Sequence, residues 1–419
     1  GGPVTERDLA VGETFQALES RLLGLFREGV GQEMPEQLFL ELALRVFRFQ
    51  YRANPLYRAF VDRRGVDPEA VGDWTAIPSL PARAFKAAPL VSGSPEKVEA
   101  VFRTSGTTRG REARGEHHIR SLDLYRGSLT PNLRAHLLPE GEAVRVGARL
   151  PSPGAARFSP LCFLGGGAAP WWKGKGVGGA WRFGDGAGDE NGLSDGAGKE
   201  NGLSDGAGDE KGFGEVAGSF FVDPERGIRM DAFHEALKRA EEAGGPVLLA
   251  GTAFAFAQWL ESARERGWKV LLPSGSRIME TGGYKGRVQA LSREGLYQGL
   301  EEVFGVPPAR IVNEYGMTEL LSQFYEPVLA EGPPRIHRPP PWVRTVALHP
   351  LTLEPVPPGE AGILAHLDLA NLGSVARVLT EDLGRMVPGG FVLEGRSPGA
   401  EPRGCSLAME DFLMGMGEG

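Results

Sequence analysis

Cysteine is almost absent. Cys162 and Cys405 are the only two in 419 residues, so no disulfide framework can hold the fold, and a reducing cytoplasm is the expected home. Long hydrophobic runs are missing as well: the most apolar stretch, Val247 to Leu260, is too short and too interrupted to span a bilayer, and the first residues lack the basic-then-apolar pattern of a signal peptide. There is no excess of positive charge. With 46 Lys and Arg against 54 Asp and Glu the net charge is -8, which argues against nucleic acid as the main partner and against a purely electrostatic membrane anchor. The Gly-Lys-Ser/Thr ending of a Walker A loop is lacking where glycines and hydroxyls gather, and the pair His117-His118 has no acidic, Cys or His partner at metal-ligand spacing. Gly1-Gly2-Pro3, with no methionine before it, reads as a tag scar or a trimmed fragment and is left out of fold reasoning.

What is present suits a large α/β protein. A hydrophobic content of 41% supports a sizeable core, enough for one large domain of two lobes plus a small appendage. Residues 5 to 64 read as helices: Phe15, Leu18, Leu22, Leu25 and Phe26 recur at helical spacing, and Leu38, Leu42, Val46 and Phe49 do so again after Pro35. Asn54-Pro55 ends the second helix, and Tyr57 with Phe60 suggests a short third. The periodicity favours a packing layer over a lid on a site. Residues 165–218 are Gly/Asp-rich, and the ten residues from Asp185 to Ser194 recur from Asp195 to Ser204 with Lys199 in place of Asp189, and begin again at Asp205. A period of ten does not fit calcium-binding β-rolls, which run on nine, so a flexible acidic insertion is expected. From Ser219 onward strand, turn and helix alternate. Asp231 is expected to cap a helix ending at Gly244-Gly245-Pro246. Val247–Ala250 reads as a buried strand, Phe254 to Arg266 as a helix, Val270–Leu272 as the next strand, and the segment ending at Phe304 as a helix. Such repetition indicates a parallel sheet covered by helices, with ligands at the strand C-terminal ends.

One stretch organises the chemistry. In Val101-Phe102-Arg103-Thr104-Ser105-Gly106-Thr107-Thr108-Arg109-Gly110-Arg111 an apolar run leads into small hydroxyl residues and glycines, followed by Arg109, Arg111 and Arg114. Glycines let the backbone approach a phosphate, hydroxyls donate to it, and arginines supply charge; a plain surface loop is the competing reading. Two later stretches shift the balance: Asn313-Glu314-Tyr315-Gly316-Met317-Thr318-Glu319, after a strand-like Arg310-Ile311-Val312, and Leu379-Thr380-Glu381-Asp382-Leu383-Gly384-Arg385, after another apolar run.

In this order the three stretches resemble the core motifs of adenylate-forming enzymes, the superfamily of acyl-CoA synthetases and luciferases. The resemblance implies an α/β fold with the large N-terminal domain of that superfamily, its parallel-rich sheets covered by helices, over residues 1–395, and a short C-terminal tail over 396–419 in place of a mobile C-terminal domain. It implies ATP and Mg²⁺ as cofactors. Thr104, Ser105, Gly106, Thr107 and Thr108 would embrace the β and γ phosphates. Where the family usually has a glycine this chain has Arg109, so the loop is either shifted or carries an added phosphate clamp. Thr318 would bind the α-phosphate, Glu319 would ligate Mg²⁺, and Tyr315 would stack on adenine beside Glu314, Gly316 and Met317. Asp382 would accept hydrogen bonds from both ribose hydroxyls, with Glu381 in place of the usual glycine. Thr281-Gly282-Gly283 would lie against the adenine, and Arg396 would be the ribose-contacting arginine at the hinge. His118, just after the phosphate loop, is the candidate for the acyl carboxylate.

The 23 residues after Arg396 hold no recognisable catalytic lysine. With Met279 to Arg287 and the ending Glu401-Pro402-Arg403-Gly404-Cys405-Ser406-Leu407, the chain looks like the acyl-protein synthetase family, the fatty-acid ligase component of bacterial luciferase systems. There a cysteine near the C-terminus takes the acyl group as a thioester, and Cys405 matches it. Flanked by arginine, glycine and serine, Cys405 is expected to be exposed, with Arg403 lowering its pKa, whereas Cys162 reads as a buried small hydrophobe. The resemblance implies a fatty acid substrate and an acyl reductase partner. An aromatic-acid ligase resembling phenylacetate-CoA ligases and an inactive nucleotide-binding scaffold are the alternatives.

Overall fold

The structure, a computed structural model, describes residues 14–103, 115–139, 145–148, 222–223, 227–282, 292–396 and 403–417. The loop Thr104–Arg114, with its five phosphate-loop candidates, lies outside the described residues, as do Cys162, Gly283 and the insertion 165–218.

The N-terminal helices form where the apolar spacing demands them. α1 (Phe15–Arg27) is capped by Thr14, whose hydroxyl accepts from the Ala17 amide, and it buries Phe15, Leu18, Leu22 and Phe26, leaving Leu25 half-buried. α2 (Glu36–Ala53) buries Phe39, Leu42, Val46 and Phe49. Asn54 then ends α2 and starts α3 (Pro55–Arg63): its side chain accepts from the Tyr57 amide while Pro55 fills the first helical position. Each fully buried Leu or Phe on these faces contributes about 1.5–3 kcal/mol.

A short strap follows, β1 (Leu80–Pro81) and the one-turn α4 (Ala84–Ala87), then the hairpin of β2 (Ala100–Arg103) and β3 (Glu116–Ile119), and then α5 (Leu122–Leu137). The next strands are β4 (Arg145–Ala148) and the small ribbon of β5 (Val222–Asp223) with β6 (Gly227–Ile228). Alternation then takes over: α6 (Met230–Ala243), β7 (Val247–Thr252), α7 (Ala253–Arg266), β8 (Arg277–Thr281), α8 (Arg293–Phe304), β9 (Ile311–Tyr315), β10 (Phe324–Tyr325) and the single turn α9 (Val328–Glu331). The sheet order is β10-β9-β8-β7-β4; β4, β7, β8 and β9 are mutually parallel, and only β10 runs the other way. One apolar cluster under α6, α7 and α8 covers one face, while the main core, which includes α1–α3 and α5, covers the other. The expected helix-covered parallel sheet is therefore present.

Two local expectations are corrected. Asp231 lies inside the first turn of α6, whose N-cap position is Arg229, and pairs with Arg266 instead of capping. Val270–Leu272 is not a strand: the Val270 and Leu272 amides donate to the Val303 and Phe304 carbonyls at the end of α8, so this apolar run satisfies a helix terminus. The strand is Arg277–Thr281, beginning five residues after Leu272, and its first four residues are all buried.

The second sheet was not legible as such. β11 (Val343–Leu348), β12 (Ala361–Asp368), β13 (Arg377–Val387) and β14 (Gly390–Arg396) are antiparallel neighbours, and β1 joins β13 in parallel. Alternation along β13 gives it two unlike faces. Val378 belongs to the main core on the side of the parallel sheet; Leu379 and Leu383, cross-strand partners of Ala365 and Ile363, pack on the other side with Cys405. The residues expected to be a tail form a 15-residue helix, α10 (Arg403–Gly417), which packs against α3, β1 and α4.

Candidate functional site

Strands β8 and β9 end side by side, with Thr281 opposite Glu314, and the chain leaves both through glycine. Gly282 takes φ +80° with open space where a Cβ would be, and Gly316 is exposed. Ligands in parallel α/β sheets collect at this edge, because strand ends present backbone groups there that no neighbouring strand satisfies. The Thr281 hydroxyl donates to the Glu314 carbonyl at 3.1 Å and ties the two ends together.

The segment Gly316-Met317-Thr318-Glu319 is held rigidly from below. Asn371 Nδ2 donates to the Glu319 carbonyl at 2.9 Å, and the buried His117 ring lies between the Thr318 carbonyl (2.7 Å from Nδ1) and Asn371 Oδ1 (2.8 Å from Nε2). Burial pushes His117 down to about 4, so the ring is neutral and has one N–H to share between two acceptors. Further along, the buried Asp368 accepts from the amides of Leu321, Ser322 and Ala370 and from the Ser322 hydroxyl. These four bonds fix the turn that follows Glu319.

Glu319 is 7% exposed, and burial raises its carboxyl to about 7 against the opposing pull of Lys86 and Arg396. Among the described residues no cation lies within ion-pair distance of it. A desolvated carboxylate without a counter-charge is costly, and a hard divalent cation sharing its oxygen with phosphate oxygens would supply what is missing. Glu319 thus fits the Mg²⁺ ligand expected of it. No group of three or more His, Cys, Asp or Glu among the described residues forms a self-sufficient metal cage.

Asp382 faces this edge from β13. Its Oδ2 accepts from the Tyr315 hydroxyl at 2.7 Å, its Oδ1 lies 3.5 Å from Arg396 Nε, and its amide donates to the Thr380 hydroxyl at 3.0 Å. Tyr315 thereby clamps the two sheets together. Glu381, next to Asp382, lies near Arg83 (3.8 Å) and Arg396 (3.9 Å), which bracket it.

Several expected residues stand together and others do not. Thr318, Glu319, Tyr315, Gly316, Met317, Gly282, Asp382 and Arg396 gather around one edge. Tyr315, however, is 8% exposed among Phe324, His337, His366 and Phe391, so its ring leaves little face for an adenine, while its hydroxyl donates to Asp382. The Glu314 carboxylate turns inward and accepts from the Tyr325 hydroxyl at 3.1 Å, with burial raising it to about 7. Strand alternation turns His118 away as well, to lie 3.4 Å from Glu116; His117, its neighbour, is the one beside Thr318.

Cys405 departs furthest from expectation. It is 2% exposed, packed with Leu348, Ile363, Ala365 and Leu379, and its Sγ lies 3.9 Å from the Thr380 carbonyl. The thiol sits behind β13, on the face opposite Asp382. A charge-flanked sequence predicted exposure, but Arg403-Gly404-Cys405 opens a helix whose inner side meets the sheet.

Lys86, Arg83, Asn371, Asp368 and His117 were missed. They come from three separate stretches with no motif among them, and Phe85, which meets His117 edge-on at 5.4 Å, joins α4 to the site.

The family described as "Acyl-protein synthetase, LuxE" matches residues 28–114 and 213–414. A long-chain-fatty-acid–luciferin-component ligase of Vibrio harveyi is 23% identical over 397 residues, covering 92% of this chain and 90% of its own. The protein of the same description from Aliivibrio fischeri is 29% identical over 153 residues, covering 32% of this chain and 38% of its own. Among solved structures, 2-hydroxyisobutyryl-CoA ligase in complex with 2-HIB-AMP and CoA superposes with a TM-score of 0.55 at 16% identity, over 88% of this chain and 70% of that one. An open conformation of the same ligase gives 0.53, over 87% and 71%. The overall fold is thus that of an adenylate-forming ligase.

Proposed function

The chain belongs to the acyl-protein synthetase family, LuxE, and from that premise we propose that it activates a long-chain fatty acid with ATP and then takes the acyl group onto Cys405. In the first half a carboxylate oxygen of the acid bonds to the α-phosphorus, the bond from that phosphorus to the bridging oxygen breaks, and pyrophosphate leaves with the electron pair. The residues' work is to hold two anions together and to meet charge as it develops. Asp382, kept in place by Tyr315, accepts from the ribose hydroxyls, and Thr318 donates to the α-phosphate. Glu319 would hold Mg²⁺, which would supply charge to neutralise the phosphates. Thr104, Ser105, Gly106, Thr107 and Thr108 take the outer phosphates in this reading, and Gly282 and Gly283 border the adenine.

In the second half the Cys405 thiolate attacks the acyl carbon, AMP leaves, and the thiol proton passes to solvent. The thiol is buried behind β13, so α10 must leave that face before Cys405 meets the acyl-adenylate. The thioester would then pass its acyl group to an acyl reductase. Residues 1–395 act as the adenylating domain and 396–419 as the acyl carrier segment, in a cytoplasmic setting; no helix among the described residues is long and apolar enough to cross a membrane.

The observation that carries this reading is the convergence of Thr318, Asp382 and the buried Glu319, which has no ion-pair partner among the described residues, at one edge of the parallel sheet. Its test is ATP–pyrophosphate exchange over a series of fatty acids, together with retention of labelled acid through a hydroxylamine-sensitive bond. Cys405→Ser should lose the label entirely and keep the exchange. Label retained by that variant overturns the acceptor role, and no exchange with any fatty acid overturns the first half. Coenzyme A consumption with phenylacetate and not with fatty acids would place the chain among aryl-CoA ligases.

A further inference from the structure

The strap β1–α4 has no part in the motifs, yet it crosses the mouth of the site. Leu80 and Pro81 pair with Val378 and Leu379, the Ala82 amide donates to the Leu379 carbonyl at 2.9 Å, and Phe85 meets the ring of His117, whose Nδ1 lies 2.7 Å from the Thr318 carbonyl. The single turn of α4 therefore runs from the Glu381-Asp382 side of the cleft to the Thr318-Glu319 side. Ala84 and Phe85 are its buried anchors, and Lys86 is exposed.

Three cations border this cleft, and they are not equivalent. Arg83 lies 3.8 Å from Glu381, and Arg396 lies within 4 Å of both Glu381 and Asp382. Lys86, exposed on the same turn, makes no ion pair or hydrogen bond with a described residue. A flexible four-carbon stem carrying an uncommitted ammonium, anchored through its neighbour to the backbone that presents Thr318, is suited to an anion that arrives and changes charge during a reaction.

Resting on the adenylation reading above, we propose that Lys86 is a catalytic residue of the adenylation step, its ε-ammonium pairing with a non-bridging oxygen of the α-phosphate while the fatty carboxylate adds. A nucleotide whose ribose is held by Asp382 and whose α-phosphate is met by Thr318 must lie across the cleft beneath α4. In the step, one phosphorus–oxygen bond forms to the acid and one breaks to pyrophosphate, and no proton changes hands. The contribution of Lys86 is electrostatic and greatest when the equatorial oxygens carry the added charge, so it belongs to turnover more than to ATP binding.

The test is pyrophosphate exchange by the full-length chain with a long-chain fatty acid. Lys86→Ala should lower kcat by about 10²–10³-fold, with KM for ATP changed by less than about fivefold. Lys86→Arg should recover most of the rate, and methylammonium added to Lys86→Ala should restore part of it, which a structural defect would not allow. Lys86 is exposed, so a thermal melt of Lys86→Ala should match the parent. An unchanged kcat in Lys86→Ala, or a loss confined to KM, overturns the proposal while the wild-type exchange stands; absence of exchange in the wild type overturns the adenylation reading on which it rests.

Discussion

The two faces of β13 differ in kind. On one, Asp382 accepts from the Tyr315 hydroxyl across the gap to the parallel sheet, among His366, Thr380 and Arg396. On the other, a few residues away, Leu379 closes a dry pocket with Ile363, Ala365 and Cys405 under α10. One strand thus separates a polar face suited to making an acyl-adenylate from an apolar face that shields the thiol suited to receiving it. On the proposed function, adenylation and acyl transfer should therefore be separable by mutation, because each face can be damaged without touching the other's side chains. Cys405 in this position is shielded, and a buried sulfur in apolar surroundings is a poor nucleophile.

The largest effect expected from breaking this comparison is on the polar face. Asp382→Ala removes a charged acceptor for two hydroxyls and should lower kcat/KM for ATP in pyrophosphate exchange by about 10²–10³-fold, at about 1.5–3 kcal/mol for each charged hydrogen bond. Leu379→Ala, on the opposite face, should cost about 2–4 kcal/mol of stability in denaturant unfolding through the cavity it leaves. Its exchange activity should stay within about threefold of the parent's. Equal losses of exchange in the two variants would mean that the faces are coupled.

A smaller effect is expected where α10 docks. Gly404 donates its amide to the Pro350 carbonyl at 2.8 Å, and a Cβ there would lie 2.8 Å from that same backbone oxygen and 2.8 Å from Leu353 Cδ2. Backbone cannot step aside as a flexible side-chain tip can, so Gly404→Ala should loosen α10 by about 1–3 kcal/mol. Alkylation of Cys405, followed by peptide mass mapping to separate it from Cys162, should then run about 5–100-fold faster. A rate equal to the parent's would show that Cys405 reacts without α10 leaving the sheet.

The sequence showed one face of this comparison and hid the other. Tyr315, Thr318, Glu319, Asp382 and Arg396 could be picked out as candidates because each stands in a short local pattern and the three patterns occur in order. The helix-covered parallel sheet was legible because strand, glycine turn and amphipathic helix repeat. The antiparallel sheet was not, since its long partly buried strands carry no period that distinguishes their neighbours. Burial of Cys405 was hidden because exposure is decided by what α10 packs against, and β1, α3 and α4 lie more than 300 residues earlier. His117 and His118 could not be told apart until the strand register of β3 assigned them to opposite faces. Val270–Leu272 misled because an apolar triplet serves a helix end as readily as a strand.

The smallest effect sharpens the contrast by titration. Burial raises Glu314 and Glu319 to about 7, so between about pH 4.5 and 7 the folded chain keeps protons that the unfolded chain has released, and stability falls as pH rises through that window. His337 and His366 act in the opposite sense. Burial lowers them to about 4 and about 3, so their contribution is complete above about pH 6.5 and is lost as pH falls below it. The two trends oppose each other below pH 6.5, and above it the carboxylates act alone. Glu314→Gln keeps an oxygen for the Tyr325 hydroxyl while removing one titrating group. In urea unfolding, the stability of Glu314→Gln relative to the parent should rise by about 1 kcal/mol between pH 6 and 7.5. A constant difference across that interval would mean that the Glu314 carboxyl ionises at the same pH in the folded and unfolded chain, and that the polar face between the sheets is wetter than its packing implies.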